Sequence, residues 1–179
     1  MTLSPADLAD ASASQLLALY RAGQASPVEA TRAVLARIAR LNPVLNAYCL
    51  VDEETALASA RASEARWAGG QASGPLDGVP ASIKDLILTR GWPTRRGSRG
   101  IDPAAQPWDV DAPVTARLRE AGAVLLGKTA TPEFGCKGET NSPLTGITRN
   151  PWNPAKTPGG SSGGAAAAVA AGMGPLAVG

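Results

Sequence analysis

Along residues 1–70 apolar positions recur at the spacing of helices. Val28, Thr31, Val34, Leu35, Ile38 and Leu41 fall on one face of a single helix. The segment before them, Ser26-Pro27-Val28-Glu29, has a capping serine, a proline at the first helical position and a glutamate three residues after the serine. Asn42-Pro43 is the predicted end of that helix. A shorter helix is predicted from Ser14 to Ala22, with Gly23 as its stop. A third, rich in alanine, is predicted from Glu53 to Ala68 and closes at Gly69-Gly70. None of the three carries recognisable chemistry, and all read as packing elements.

The pattern changes after Gly74. Val79 to Leu88 reads as a buried strand interrupted by one lysine–aspartate pair, Lys84-Asp85. Asp111 to Ala121 predicts a short amphipathic helix with Val114, Leu118 and Ala121 on one side, closed by Gly122. Ala123 to Leu126 follows as an apolar strand. After a long loop, Pro158-Gly159-Gly160-Ser161-Ser162-Gly163-Gly164 opens an alanine helix that runs to Ala171-Gly172, and Pro175 to Val178 reads as another strand. Strands alternating with helices predict an α/β fold, in which N-terminal helices precede the start of a mixed sheet covered by helices. No internal repeat or low-complexity linker breaks the chain.

Composition narrows the chemistry. With 44% hydrophobic and 18% charged residues the chain is globular in character, not disordered. It contains no histidine, which removes the Ser-His-Asp triad, the Cys-His pair and the histidine zinc sites together. A net charge of +2, with no basic cluster interleaved with aromatics, argues against nucleic acid as a partner. Cys49 and Cys136 are too few for a disulfide framework and fit a reducing, cytoplasmic setting. The first residues lack the basic and apolar stretches of a signal peptide, and residues 165–172 are too short and too flanked by glycine to span a membrane.

Two glycine motifs need separating from the chemistry. Gly122 to Thr129 satisfies the P-loop expression, but its middle is a β-prone apolar run and Thr131-Pro132 follows the lysine where a P-loop needs a helix. The segment from Gly159 fails the dinucleotide pattern, having Ser161 where a glycine is required. Its two serines stand at a helix mouth, where free N–H groups favour negative charge, which suits acyl transfer and phosphate binding alike. Its plain alternative is a tight strand–helix turn. Lys84 is costly to bury as a charge, so it is either functional or reaches out at the strand end. Asp85 could pair with it, although neighbouring strand residues point to opposite faces. Lys128 with Glu133 reads as an ordinary strand-end charge and its partner. In a chain without histidine, a serine nucleophile calls for a lysine base with a lowered pKa.

Taken together these residues resemble the amidase signature family. Gly78-Val79-Pro80-Ala81-Ser82-Ile83-Lys84-Asp85 is similar to that family's lysine strand, and Gly127 to Phe134 is similar to its next landmark. Asn150-Pro151-Trp152-Asn153 through Gly164 resembles the start of the signature itself. The resemblance runs along essentially the whole chain. It marks residues 1–179 as the N-terminal part of a single amidase domain, with a helical region over 1–70 and the start of the α/β core over 71–179.

The resemblance implies hydrolysis of carboxylic amide C–N bonds through a serine acyl-enzyme, run by a Ser–cis-Ser–Lys triad. By position Lys84 matches the base and Ser161 the serine that follows a cis peptide bond. Gly159, Gly160, Ser162 and Gly163 match the surrounding oxyanion or structural loop. Glu139 and Asn141, in the loop from Gly135 to Thr145, resemble the wall of the substrate pocket. The implied substrate is a small-molecule amide, with no cofactor and no metal, and a homodimer of the full-length form is left open. The nucleophilic serine is implied beyond Gly179. Residues 1–179 alone are therefore expected to be inactive and poorly stable, with unpartnered sheet edges and a Ser161 peptide free to relax to trans. Within the family, Gly91 to Ser98 and Thr131 to Glu139 resemble free amidases. The alternative is the glutaminase component of a glutamyl-tRNA amidotransferase, its A-subunit, which typically has methionine–aspartate–glutamate where this chain has Thr131-Pro132-Glu133. A non-catalytic relic is the remaining alternative.

Overall fold

The computed structural model describes residues 4–179. In chain order the elements are α1 (Pro5–Asp10), α2 (Ala13–Arg21), α3 (Pro27–Leu45), β1 (Tyr48–Val51), α4 (Glu53–Ala68), β2 (Pro80–Lys84), α5 (Pro113–Glu120) and β3 (Val124–Thr129). A 3-10 turn (Glu133–Gly135), a small hairpin of β4 (Asn141–Ser142) and β5 (Gly146–Ile147), α6 (Gly163–Ala170) and β6 (Leu176–Val178) complete it. Among the described residues no helix is long and apolar enough to cross a membrane.

The helix starts follow their caps. Ser26 accepts from the Glu29 N–H while the Glu29 carboxylate accepts from the Ser26 N–H, a reciprocal box that Ser12 and Gln15 repeat at α2. The stop expected at Asn42-Pro43 does not occur. α3 carries Pro43 inside its last turn and ends at Leu45. The interruption is confined to that turn, because Asn46 closes the helix in the left-handed conformation with its N–H on Asn42 O. The Asn42 side chain accepts from the N–H groups of Ala47 and Tyr48, both at 2.8 Å, and thereby starts β1, a strand that the apolar pattern does not reveal. α1 is likewise absent from that pattern.

The sheet runs β1-β3-β2-β6, with β3 and β6 parallel to β2 and β1 antiparallel to β3. It is the mixed α/β arrangement expected. One face packs on α2, α3, α4 and α6, where Val124 and Leu126 meet Leu16, Val34, Ile38, Ala60 and Ala167. The other carries Ala81, Ile83, Leu125 and Trp92. The strand expected over 79–88 stops at Lys84, where the chain turns and the Ile87 N–H bonds Lys84 O at 3.0 Å.

β3 is longer than expected and is not regular. Ala81 pairs with Leu125 but Ile83 pairs with Lys128, so β3 holds one extra residue there. Gly127 sits in this bulge with φ +152°, and a Cβ on it would lie 2.1 Å from Leu50 O. The bulge reverses the alternation of faces, and Lys128 follows Leu125 to the face of Ala81 and Ile83.

Candidate active site

Lys84 is the last residue of β2, and its register neighbour on β3 is Thr129. Alternation along β2 places Ala81 and Ile83 on one face and Ser82 and Lys84 on the other, toward α6. The Lys84 side chain is 5% exposed, and its Nζ donates to Ser161 Oγ at 2.7 Å and to Ser162 Oγ at 2.8 Å. Burial holds its pKa below the ordinary lysine value. Among the described residues no carboxylate lies within ion-pair distance of it.

Both serines sit at the mouth of α6. Ser162 occupies the N-cap position, yet its hydroxyl does not cap the helix and is spent on Lys84 instead. The Gly160–Ser161 peptide is cis, the form the resemblance implies for Ser161, and has not relaxed to trans. The segment that encloses it comes from this same chain. A Cβ on Gly160 would lie 2.8 Å from the main chain of Glu139, so the loop closes against that backbone only because residue 160 has none. The Gly159 N–H bonds Thr157 Oγ1 at 3.1 Å and the Gly163 N–H bonds Thr140 Oγ1 at 3.0 Å, so both are engaged within the protein.

The expected pocket-wall residues are close in the chain but are turned to each other. Asn141 Nδ2 donates to Glu139 Oε1 at 2.8 Å, and Lys137 Nζ donates to Asn141 Oδ1 at 3.2 Å, all on the surface. It is the Glu139 main chain that meets the serine loop. Thr140, between the two, is absent from the expectations. A threonine between two polar residues in a loop gives no pattern by which to find it.

Lys128 corrects two readings. It is no strand-end charge and does not pair with Glu133, which accepts instead from Ser98 Oγ at 2.7 Å. Lys128 is fully buried, with Nζ donating to Ile87 O at 2.6 Å and Thr94 Oγ1 at 2.8 Å, and lying 4.0 Å from Asp85 Oδ1. Asp85 is therefore partnered by Lys128 and not by Lys84, and it also accepts from the N–H groups of Arg95 and Gly97 at 3.1 and 3.2 Å. Burial pushes Lys128 down to about 8 against the pull of Asp85, and pushes Asp85 up against Lys128 and the two amides. Gly122 to Thr129, the P-loop look-alike, lies largely in β3, with its lysine sealed in the interior. Among the described residues no group of three His, Cys, Asp or Glu is placed to hold a metal ion.

A lysine whose neutral form burial favours, beside two hydroxyls on a chain without histidine, can take up and return a proton through a serine. Known proteins share this framework. The family model described as Amidase matches residues 29–179. The A-subunit of the glutamyl-tRNA(Gln) amidotransferase of Acidothermus cellulolyticus is 47% identical over 173 residues, covering 97% of this chain and 34% of the relative. That of Azoarcus sp. is 48% identical over 170 residues, 95% of this chain and 34% of the relative. Among solved structures, native peptide amidase from Stenotrophomonas maltophilia matches with a TM-score of 0.85 at 36% identity, over 93% of this chain and 35% of that one. A 6-aminohexanoate cyclic dimer hydrolase matches with a TM-score of 0.84 at 38% identity, over 94% of this chain and 33% of that one. The chain spans about a third of the length of the curated relatives it matches. On these grounds it belongs to the amidase signature family.

Proposed function

We propose that the full-length protein hydrolyses carboxylic amides, with Lys84 as the base and Ser161 as the relay between Lys84 and a nucleophilic serine. The observation that carries this reading is the 2.7 Å contact between a buried lysine and the Ser161 hydroxyl. The nucleophile, outside residues 1–179, gives its proton to Ser161 Oγ while Ser161 passes its own to neutral Lys84 Nζ. The freed oxygen attacks the amide carbonyl. As the C–N bond breaks, Ser161 gives its proton to the departing nitrogen and takes one back from Lys84, and water then repeats the sequence on the acyl-enzyme. Burial of Lys84 favours the neutral form that the first step needs. Ser162 holds the amine in place, Gly159 and Gly163 shape the loop, and Glu139 and Asn141 border the site. The substrate is a small amide, and residues 1–179 by themselves are inactive for want of the nucleophile.

A second reading is favoured by one observation. The curated relatives at 47% and 48% identity are A-subunits of glutamyl-tRNA(Gln) amidotransferases, whereas the solved hydrolases stand at 36% and 38%. On that reading the same site frees ammonia from glutamine for a partner protein.

The test measures amine or ammonia release by the full gene product from an aryl amide and from glutamine, with and without the other amidotransferase components. Turnover of the aryl amide without partners, abolished by Lys84→Ala and by Ser161→Ala, is expected. Release from glutamine alone, and only with partners, selects the second reading. Release from neither substrate overturns both.

A further inference from the structure

The serine loop is held from one side by a residue that the chemistry leaves out. Thr140 is 2% exposed, and its hydroxyl makes two bonds to the loop. It donates to Gly159 O at 3.0 Å and accepts from the Gly163 N–H at 3.0 Å. These partners lie on either side of Gly160, Ser161 and Ser162, so one oxygen spans the stretch that carries both hydroxyls on Lys84. The Gly163 N–H belongs to the first turn of α6, where no helical carbonyl can take it. The capping role that Ser162 gives up is filled by Thr140.

Thr140 is in turn fixed from behind. Its carbonyl accepts from the Thr148 N–H at 2.9 Å, and Thr148 Oγ1 donates to Asn46 O at 2.7 Å. Asn46 Nδ2 donates to Thr145 O at 2.6 Å and Ile147 O at 3.2 Å, which ties the β4–β5 hairpin to the end of α3. A continuous set of bonds therefore runs from the end of a long helix, through the hairpin, to Gly159 and Gly163, which flank the two serines.

We propose that Thr140 is a positioning residue, its hydroxyl clamping the Gly159–Gly163 loop so that Ser161 and Ser162 stand within reach of Lys84. The catalytic part of this inference rests on the amidase reading above; the clamp itself does not. Thr140→Val keeps the shape of the side chain and removes the donor and the acceptor together. It leaves Gly159 O and the Gly163 N–H without their partner.

The experiment combines steady-state kinetics with site-resolved amide exchange on the full-length protein. In the wild type the Gly163 amide is expected to exchange slowly for a first-turn position. In Thr140→Val it exchanges about tenfold faster or more, and kcat falls about 100-fold with KM unchanged. Thr140→Ser, which retains the hydroxyl, restores both the rate and the slow exchange. A merely structural threonine would lower the melting temperature without this split between kcat and KM. Unchanged kcat in Thr140→Val alongside fast exchange at Gly163 overturns the positioning role. Fast exchange at Gly163 in the wild type overturns the clamp, and that measurement stands even where the valine variant fails to fold. A wild type that turns over neither amide nor glutamine sinks the amidase reading alone, and the exchange at Gly163 still decides the clamp.

Discussion

Lys84 and Lys128 lie on neighbouring parallel strands, and burial lowers the pKa of both, yet their surroundings differ in kind. Lys84 meets two hydroxyls, groups that accept and donate and can hand a proton onward. Lys128 meets a main-chain carbonyl, which only accepts, a threonine hydroxyl and the Asp85 carboxylate, and it has no exposed surface. A lowered lysine pKa is thus shared by the proposed site of proton transfer and by an internal brace. What separates them is that a carboxylate faces Lys128 and, among the described residues, none faces Lys84, and that Lys128 alone is wholly sealed from solvent.

The largest effect that would test this contrast is Lys84→Met in the full-length protein. The rate is expected to fall on the order of 10⁴-fold while the melting temperature holds, since methionine fills similar space and Lys84 has no carboxylate partner to strand among the described residues. Lys128→Met should do the reverse to stability. It strands the Asp85 carboxylate and is expected to cost about 3–5 kcal/mol in denaturant unfolding. Adding Asp85→Asn to it should recover much of that loss, because the pair acts as one unit. Additive losses in the double variant would mean the pair is not coupled.

A pH series sharpens the same comparison. Folded Lys128 gives up its proton near 8, whereas the unfolded chain holds it to the ordinary value of 10.5. The unfolded state binds more protons across that window, so stability rises with pH there, by about 3 kcal/mol from this group. The rise should vanish in Lys128→Met. Asp85, raised by burial, works with the opposite sign in the acid range. The rate constant kcat/KM should climb through the lowered pKa of Lys84, on the acid side of 10.5. Smallest of all is Ser162→Ala, which removes one of the two hydroxyls on Lys84 and should cost about 1 kcal/mol, or five- to tenfold in rate. A loss as large as that from Ser161→Ala would make Ser162 part of the relay.

The helical layer is largely legible in the sequence because its caps and apolar spacing are local. Ser26 with Glu29 fixes one start, and the apolar series from Val28 to Ile38 needs only one face to bury. β1 is not, since four residues behind a proline give no period to count. Lys84 stands out as a charge in an apolar strand, and the serine pair by its glycines. Lys128 misleads for a definite reason. Counting alternate residues from Leu126 puts it on the face of Val124 and Leu126, and the extra residue in the bulge at Gly127 turns it the other way. Thr140 is invisible because its two bonds join segments 19 and 23 residues away in sequence.

The distance along the chain between Lys84 and its serines has a kinetic consequence. Their bonds close over 77 and 78 residues, whereas α3 and α4 are parted only by the short β1 and pack directly. Contacts of such separation are slow to form, because a long loop must close before they return any stability. The helical pair is therefore expected to gather early, with Lys84 meeting its hydroxyls only once β6 has docked beside β2. Pulse-labelled amides in α3 should gain protection before the amide of Gly163 does. The part proposed to do the chemistry is then expected to be the last to arrive.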